Sequence, residues 1–312
     1  MGVVWRVVKT LVILALVLPV LLVLGVEIFP VQATHLALAM ERSRSGLTEH
    51  HVQLADGLHY DYLEGGQGPA LLLLHGFGGD KDNFTRVARY LTPHYHVIIP
   101  DEMGFGLSSH PDSDIYTPED QARHLHDLLQ QLGIDRVDIG GNSMGGQIAA
   151  VYASLYSASV NSLWLLDPGG VWSVPRTHLN QLARLEGHSP LIVANDDQFV
   201  ELYHHVMAKP PYVPRAMLDV MAQARINNQS LEKRILGAIS ADALESHVRG
   251  LDTPTLIVWG AEDHILEPES GEVLVHLMPH ARLLTMSGIG HVPMLEDPAQ
   301  TAKDYLAFRA TL

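Results

Sequence analysis

The residues best suited to chemistry stand in "GGNSMGG", 140 to 146, where a strand-like "RVDI" gives way to a helix-like "QIAAVYASLY". Ser143 sits between glycine pairs at that junction, on the sharp strand-to-helix turn of a nucleophile elbow. Gly141 and Gly145 remove side chains that would collide there. A lone hydroxyl is a weak nucleophile, so the chemistry also demands a base, an acid to orient it, and donors for a developing oxyanion. "GIGHVP", after the last strand pattern, offers His291 as the base. "WGAEDHIL", after the penultimate one, offers Asp263 to fix the tautomer of His291. Asp167, closing "SLWLLD", competes for that acid role, while Glu262 faces away. In "LLLLHGFGGD" the main-chain N–H of Phe77 can join that of Met144 in an oxyanion hole. "PDEMGFGLSS", with Asp101, Gly104, Gly106 and Ser108, is expected to shape the site without reacting.

Positioning these groups requires a sheet. Eight segments qualify: "HHVQL", "LHYDYLE", then 70–75, 96–100, 136–141, 162–167, 255–260 and 281–286. The later ones are continuous apolar runs, as in parallel strands covered on both faces, and helical patterns alternate with them. One helix is expected over 117–132, opened by Thr117 and Pro118 and closed by Gly133. Between about 172 and 248 the strand signal stops and amphipathic helices follow, which predicts a helical cap inserted after the sixth strand. Its Leu179, Leu182, Leu185, Met207, Met217, Leu218 and Met221 could line an acyl tunnel or form the cap's own core.

The chain has 312 residues, 47% hydrophobic and 18% charged, with a net charge of -15; this disfavours disorder and gives no basic stripe for nucleic acid. It contains no cysteine, which removes disulfides and thiolate chemistry. Nineteen histidines raise the question of a metal. Pairs such as His124 and His126, about 200° apart on a helix, do not converge, and no metal or cofactor is expected. No Gly-rich phosphate loop follows a strand.

Between Lys9 and Glu27 lie 17 uncharged, mostly apolar residues. As a helix this run is about 25 Å long, and Val7, Val8, Ile28 and Phe29 can extend it toward the roughly 30 Å of a bilayer core. Pro19 is tolerable there. Arg6 and Lys9 ahead of the run predict a cytoplasmic amino terminus. The rival reading is a cleaved signal peptide, although the A-x-A at 37–39 lies well past the apolar run. The expected organisation is a transmembrane anchor over 1–29, a juxtamembrane helix or linker over 30–47, an α/β core over 48–171 and 249–312, and the cap over 172–248.

Over 48–312 the motifs "HGFGG", "GNSMGG", "WGAEDHI" and "GHVPMLEDP" resemble the α/β-hydrolase superfamily, with its mostly parallel eight-stranded sheet and helices on both faces. Together with the apolar amino terminus, the chain looks like the membrane-anchored monoacylglycerol lipases and the bacterial membrane-anchored phospholipase A and lipase proteins. That resemblance implies a Ser143, Asp263, His291 triad, a lipid ester substrate and a homodimer through the membrane-proximal helix, and the charges of Arg6 and Lys9 place the expected anchor in a bacterial inner membrane with the catalytic domain on the extracytoplasmic side. Serine-dependent carbon–carbon bond hydrolases of aromatic ring degradation carry a similar elbow and "PGG" turn but are generally soluble. Haloalkane dehalogenases and epoxide hydrolases use an aspartate where Ser143 stands. A binding module that keeps the fold without turnover is the alternative of another class.

Overall fold

The computed structural model describes residues 2–112, 116–175 and 189–312, and within the first helix the side chains of 5–11, 21 and 23–28. Eight strands form one sheet: β1 (Leu47–Gln53), β2 (His59–Gly65), β3 (Ala70–Leu74), β4 (His96–Pro100), β5 (Val137–Asn142), β6 (Val160–Leu166), β7 (Thr255–Gly260) and β8 (Ala281–Met286). Their spatial order is β1-β2-β4-β3-β5-β6-β7-β8. β2 is antiparallel to both neighbours and the remaining pairs are parallel. After β4 the chain crosses back over β3 to β5, so the side on which successive strands are added switches between β3 and β5. In open α/β sheets ligands bind outside the carboxyl ends of the strands at such a point.

The continuous apolar runs split by period two onto the two faces. Leu72, Leu74, Ile139, Leu163, Leu165, Ile257 and Trp259 pack on one side, under α4 (Pro118–Gln131), α5 (Met144–Leu155) and α9 (Ser270–Leu277). Leu71, Leu73, Trp164, Leu166, Leu256 and Val258 pack on the other, under α3 (Thr85–Leu91) and α11 (Pro298–Arg309). Each fully buried Leu contributes roughly 1.5–3 kcal/mol, so the two layers fix strand register as well as stability. β1 begins at Leu47, three residues before the expected "HHVQL", because this edge strand is mostly exposed and shows no alternation. Thr117 caps α4 by accepting from the Asp120 N–H, and Gly133 after it takes φ 69°.

Between β6 and β7 the described residues form α6 (Asp196–His205), α7 (Arg215–Ser240) and α8 (Leu244–Val248), with no strand among them. Leu179, Leu182 and Leu185 lie outside the described residues. Met207 and Leu218 are buried, Met217 is half-buried and Met221 is exposed.

At the amino end stand α1 (Gly2–Ile28) and α2 (Pro30–Arg44). Among the described residues no helix is long and apolar enough to cross a membrane. The side chains of 12–20, the middle of the apolar run, lie outside them. Trp5, Leu11, Leu21, Val23 and Ile28 of α1 are exposed. The short helix α2 is fastened to the core: the Arg42 guanidinium donates from Nε and Nη2 to Asp82 at 2.7 and 2.6 Å and from Nη1 to Glu49 at 3.0 Å. It also packs on α7, α3 and β1.

Candidate active site

Ser143 follows β5 at the point where the strand order switches and takes φ 53° and ψ −117°, a left-handed conformation costly for a residue with a Cβ. The surrounding glycines explain how that strain is held. A Cβ on Gly145 would lie 2.3 Å from the Leu74 carbonyl oxygen, and one on Gly141 would lie 2.3 Å from the Gly145 backbone. The turn is pinned on both sides, because Ser143 N–H donates to Leu166 O at 3.0 Å and Ser143 O accepts from Gly169 N–H at 2.9 Å. Ser143 is half-buried at the top of the sheet.

His291 and Asp263 meet from the loops after β8 and β7. His291 Nδ1 lies 2.8 Å from Asp263 Oδ2, and both side chains are buried. The other oxygen, Asp263 Oδ1, accepts from the N–H groups of Ile265 at 2.7 Å and Leu266 at 3.0 Å, so the carboxylate cannot rotate freely. Asn142, next to Ser143, donates from Nδ2 to His291 O at 2.8 Å and to Leu166 O at 3.1 Å, tying the histidine loop to the elbow. His291 N–H donates to Val206 O of the cap at 2.9 Å. Glu296, in the short helix α10 (Pro293–Glu296), accepts from Gly290 N–H at 2.9 Å and from Lys209 N–H of the cap at 2.8 Å. Asn142, Val206 and Glu296 were absent from the residues singled out in the sequence. For Glu296 the only available signal was its place in "GHVPMLEDP".

The segment carrying Phe77 lies against the serine: a Cβ on Gly76 would be 3.3 Å from Ser143 Cβ. Met144 begins α5, where helix-terminal N–H groups carry partial positive charge. Among the described residues neither the Phe77 nor the Met144 N–H is spent on a turn or cap bond. His75 serves the loop, since its Nδ1 lies 2.8 Å from Gly76 O and its Nε2 accepts from Glu102 N–H at 2.9 Å. Burial lowers its pKa and favours the neutral ring. From the cap, the buried Arg225 packs over Phe77 with Cζ 5.6 Å from the ring centre. Glu232 holds the same guanidinium at 2.9 Å through both Nε and Nη2.

Asp167 ends beside this group without a hydrogen bond to the imidazole among the described residues. A carboxylate oxygen of Asp167, one of Asp263 and a ring nitrogen of His291 all lie within 4.8 Å of one another. Asp101 is structural, accepting from Lys81 Nζ at 2.6 Å and Lys81 N–H at 2.8 Å. Ser108 Oγ accepts from Asp61 N–H at 3.0 Å. His126 stacks on Tyr156 with ring centres 4.0 Å apart, and His124 sits 3.9 Å from Asp56.

Residues 69–298 match the family model described as the alpha/beta hydrolase fold. Lipase 1 of Psychrobacter immobilis is 43% identical over 288 residues, covering 90% of each chain. The crystal structure of a membrane phospholipase A, a bacterial virulence factor, superposes with a TM-score of 0.87 at 36% identity, covering 97% of this chain and 98% of that one. The human monoacylglycerol lipase ABHD6 is 26% identical over 259 residues, 79% of this chain and 77% of its own. The chain belongs to the α/β-hydrolase fold family. Its standing with the lipases of that family makes it a carboxylic ester hydrolase.

Proposed function

We propose that this protein is a membrane-anchored serine hydrolase that cleaves the acyl esters of lipids, namely monoacylglycerols, lysophospholipids or phospholipids, through an acyl-enzyme on Ser143. The observation that carries the reading is the 2.8 Å contact between His291 and Asp263, tethered through Asn142 to a serine held at φ 53°. Ser143 Oγ attacks the ester carbonyl while His291 Nε2 takes its proton. The Phe77 and Met144 N–H groups stabilise the oxyanion. His291 then protonates the departing alcohol. Water, deprotonated by His291, cleaves the acyl-serine and releases the fatty acid.

The anchor rests on the uncharged run 10–26 within a helix of 27 residues, about 40 Å long, with Arg6 and Lys9 before it. This orientation leaves the amino terminus in the cytoplasm and residues 30 onward outside the inner membrane. Tethering puts the site at high effective concentration of bilayer lipid. Pairing of two copies through the membrane-proximal helices belongs to the same reading.

A hydrolysis panel of monoacylglycerol, lysophospholipid, diacyl phospholipid, a short soluble ester and a ring-cleavage dienoate tests the substrate class. Turnover of one of the three lipids above the soluble ester is expected. Preference for the dienoate, or no turnover of any lipid, contradicts it.

A further inference from the structure

Asp167 is a fully buried carboxyl that the proposed mechanism does not use. It takes φ 44°, a conformation that only Gly, Asn and Asp adopt with any ease. Its Oδ1 accepts from Gly260 N–H at 2.8 Å, whereas its Oδ2 is sealed from solvent and meets no donor. The carboxyl faces that of Asp263, whose own oxygens are taken by the Ile265 and Leu266 N–H groups and by His291. Two acceptor-only oxygens facing each other away from water are satisfied only if one carries a proton. Among the described residues no lysine or arginine acts on Asp167. Its titratable neighbours are Asp263 on the β7 loop, His291 on the β8 loop and Glu296 on α10. Three N–H groups, of Gly260, Ile265 and Leu266, point at the same two carboxyls, and a cation's coordination shell has no use for donors.

We infer that Asp167 is a neutral carboxylic acid that donates its O–H to the Asp263 carboxylate, and is thereby a positioning residue for the acid of the site. The inference rests on the proposed roles of Asp263 and His291. Burial, then the charge on Asp263, both push Asp167 in the direction that keeps its proton. The donated bond fixes the rotation of Asp263 so that Oδ2 stays on His291 Nδ1. It also draws charge from Asp263, which keeps the imidazole from becoming too basic to start the cycle unprotonated.

Two substitutions separate this role from a structural one. Asn keeps an N–H donor and tolerates φ 44°, so Asp167→Asn should hold kcat/KM within about threefold and leave the acid limb of the pH–rate profile in place. Gly accepts the backbone without strain but removes the donor. Asp167→Gly should therefore lower kcat about 10- to 100-fold at unchanged KM and move the acid limb to higher pH. The infrared difference spectrum of the full-length protein at pH 7, wild type minus Asp167→Asn, should show a protonated-carboxyl C=O band that is also present in Ser143→Ala, is unchanged by a chelator and is distinct from the Glu102 band that Glu102→Gln removes. Absence of the band, its dependence on chelation, or equal impairment of the Asn and Gly variants overturns the inference, as does a wild-type profile for the Gly variant. If the Gly variant fails to fold, the band in wild type and its loss in the Asn variant decide alone. Because the band does not depend on turnover, an active Ser143→Ala enzyme would sink the functional reading and leave this one standing.

Discussion

The Nδ1 atom of His291 lies 2.8 Å from Oδ2 of Asp263, a contact between two buried side chains 28 residues apart. Its geometry leaves Nε2 as the nitrogen available to the serine, with the Nδ1 proton directed at a carboxylate. An amide at 263 would keep its oxygen on the Ile265 and Leu266 N–H groups and turn its NH2 toward Nδ1, which stabilises the wrong tautomer. Asp263→Asn should lower kcat by about 10⁴-fold, as in comparable triads, with little change in melting temperature. Steady-state kinetics on a lipid ester checks this, and a loss of only a few fold would place the acid elsewhere.

Asn142 ties the elbow to the histidine loop through two carbonyls, those of His291 and Leu166. Removing its amide leaves the buried His291 carbonyl unpaired, at about 1–3 kcal/mol, whereas Leu166 O keeps the Ser143 N–H. We expect Asn142→Ala to destabilise the fold by an amount in that range and to reduce kcat about tenfold through a looser His291. Chemical denaturation and the separation of kcat from KM measure the two effects.

Two glycines should respond in opposite directions to the same change. A Cβ on Gly145 meets the Leu74 and His75 carbonyl oxygens at 2.3 and 2.5 Å, and backbone cannot yield as a side chain can. Gly145→Ala is expected to cost about 3 kcal/mol or more and to abolish hydrolysis. At Gly237, within the long cap helix, no atom stands within 4 Å of the added Cβ. Gly237→Ala should stabilise by about 0.5–1 kcal/mol. Thermal melts of the pair check the contrast.

Glu102 follows β4 with both carboxyl oxygens buried and without partners among the described residues, and burial raises its pKa from 4.5 to about 8. The folded state therefore holds a proton that the unfolded chain releases. This stabilisation is complete below about pH 4.5 and is lost as pH rises through about 8. At about 1.4 kcal/mol per pKa unit it amounts to at most about 5 kcal/mol. Glu102→Gln should remove this component, so that its melting temperature exceeds that of wild type most clearly at pH 8 to 9. Identical pH dependence of the two melting curves would refute the assignment.

The central strands were legible because continuous apolar runs such as "LLLL" and "LIVW" can be buried on both faces only within a covered sheet. The elbow was legible because glycines at 141 and 145 serve a backbone clash that spacing alone exposes. The edge strand β1 was read three residues late because its polar side chains carry no period. The tethers were not legible at all: Asn142 reaches a residue 149 positions away, and Val206 comes from a cap with no sequence mark for its contact. Asp167 was seen as a rival acid, yet nothing in its local sequence says that Asp263 holds the imidazole while Asp167 faces Asp263. That division of labour arises only where three loops converge.

The most direct measurement treats the full-length protein and Ser143→Ala with a serine-directed fluorophosphonate, maps the adduct by mass spectrometry, and follows lipid-ester hydrolysis in parallel. The account predicts one adduct, on Ser143, together with near-complete loss of both labelling and turnover in a folded alanine variant. An adduct on another residue, or hydrolysis by Ser143→Ala at the wild-type rate, would contradict it.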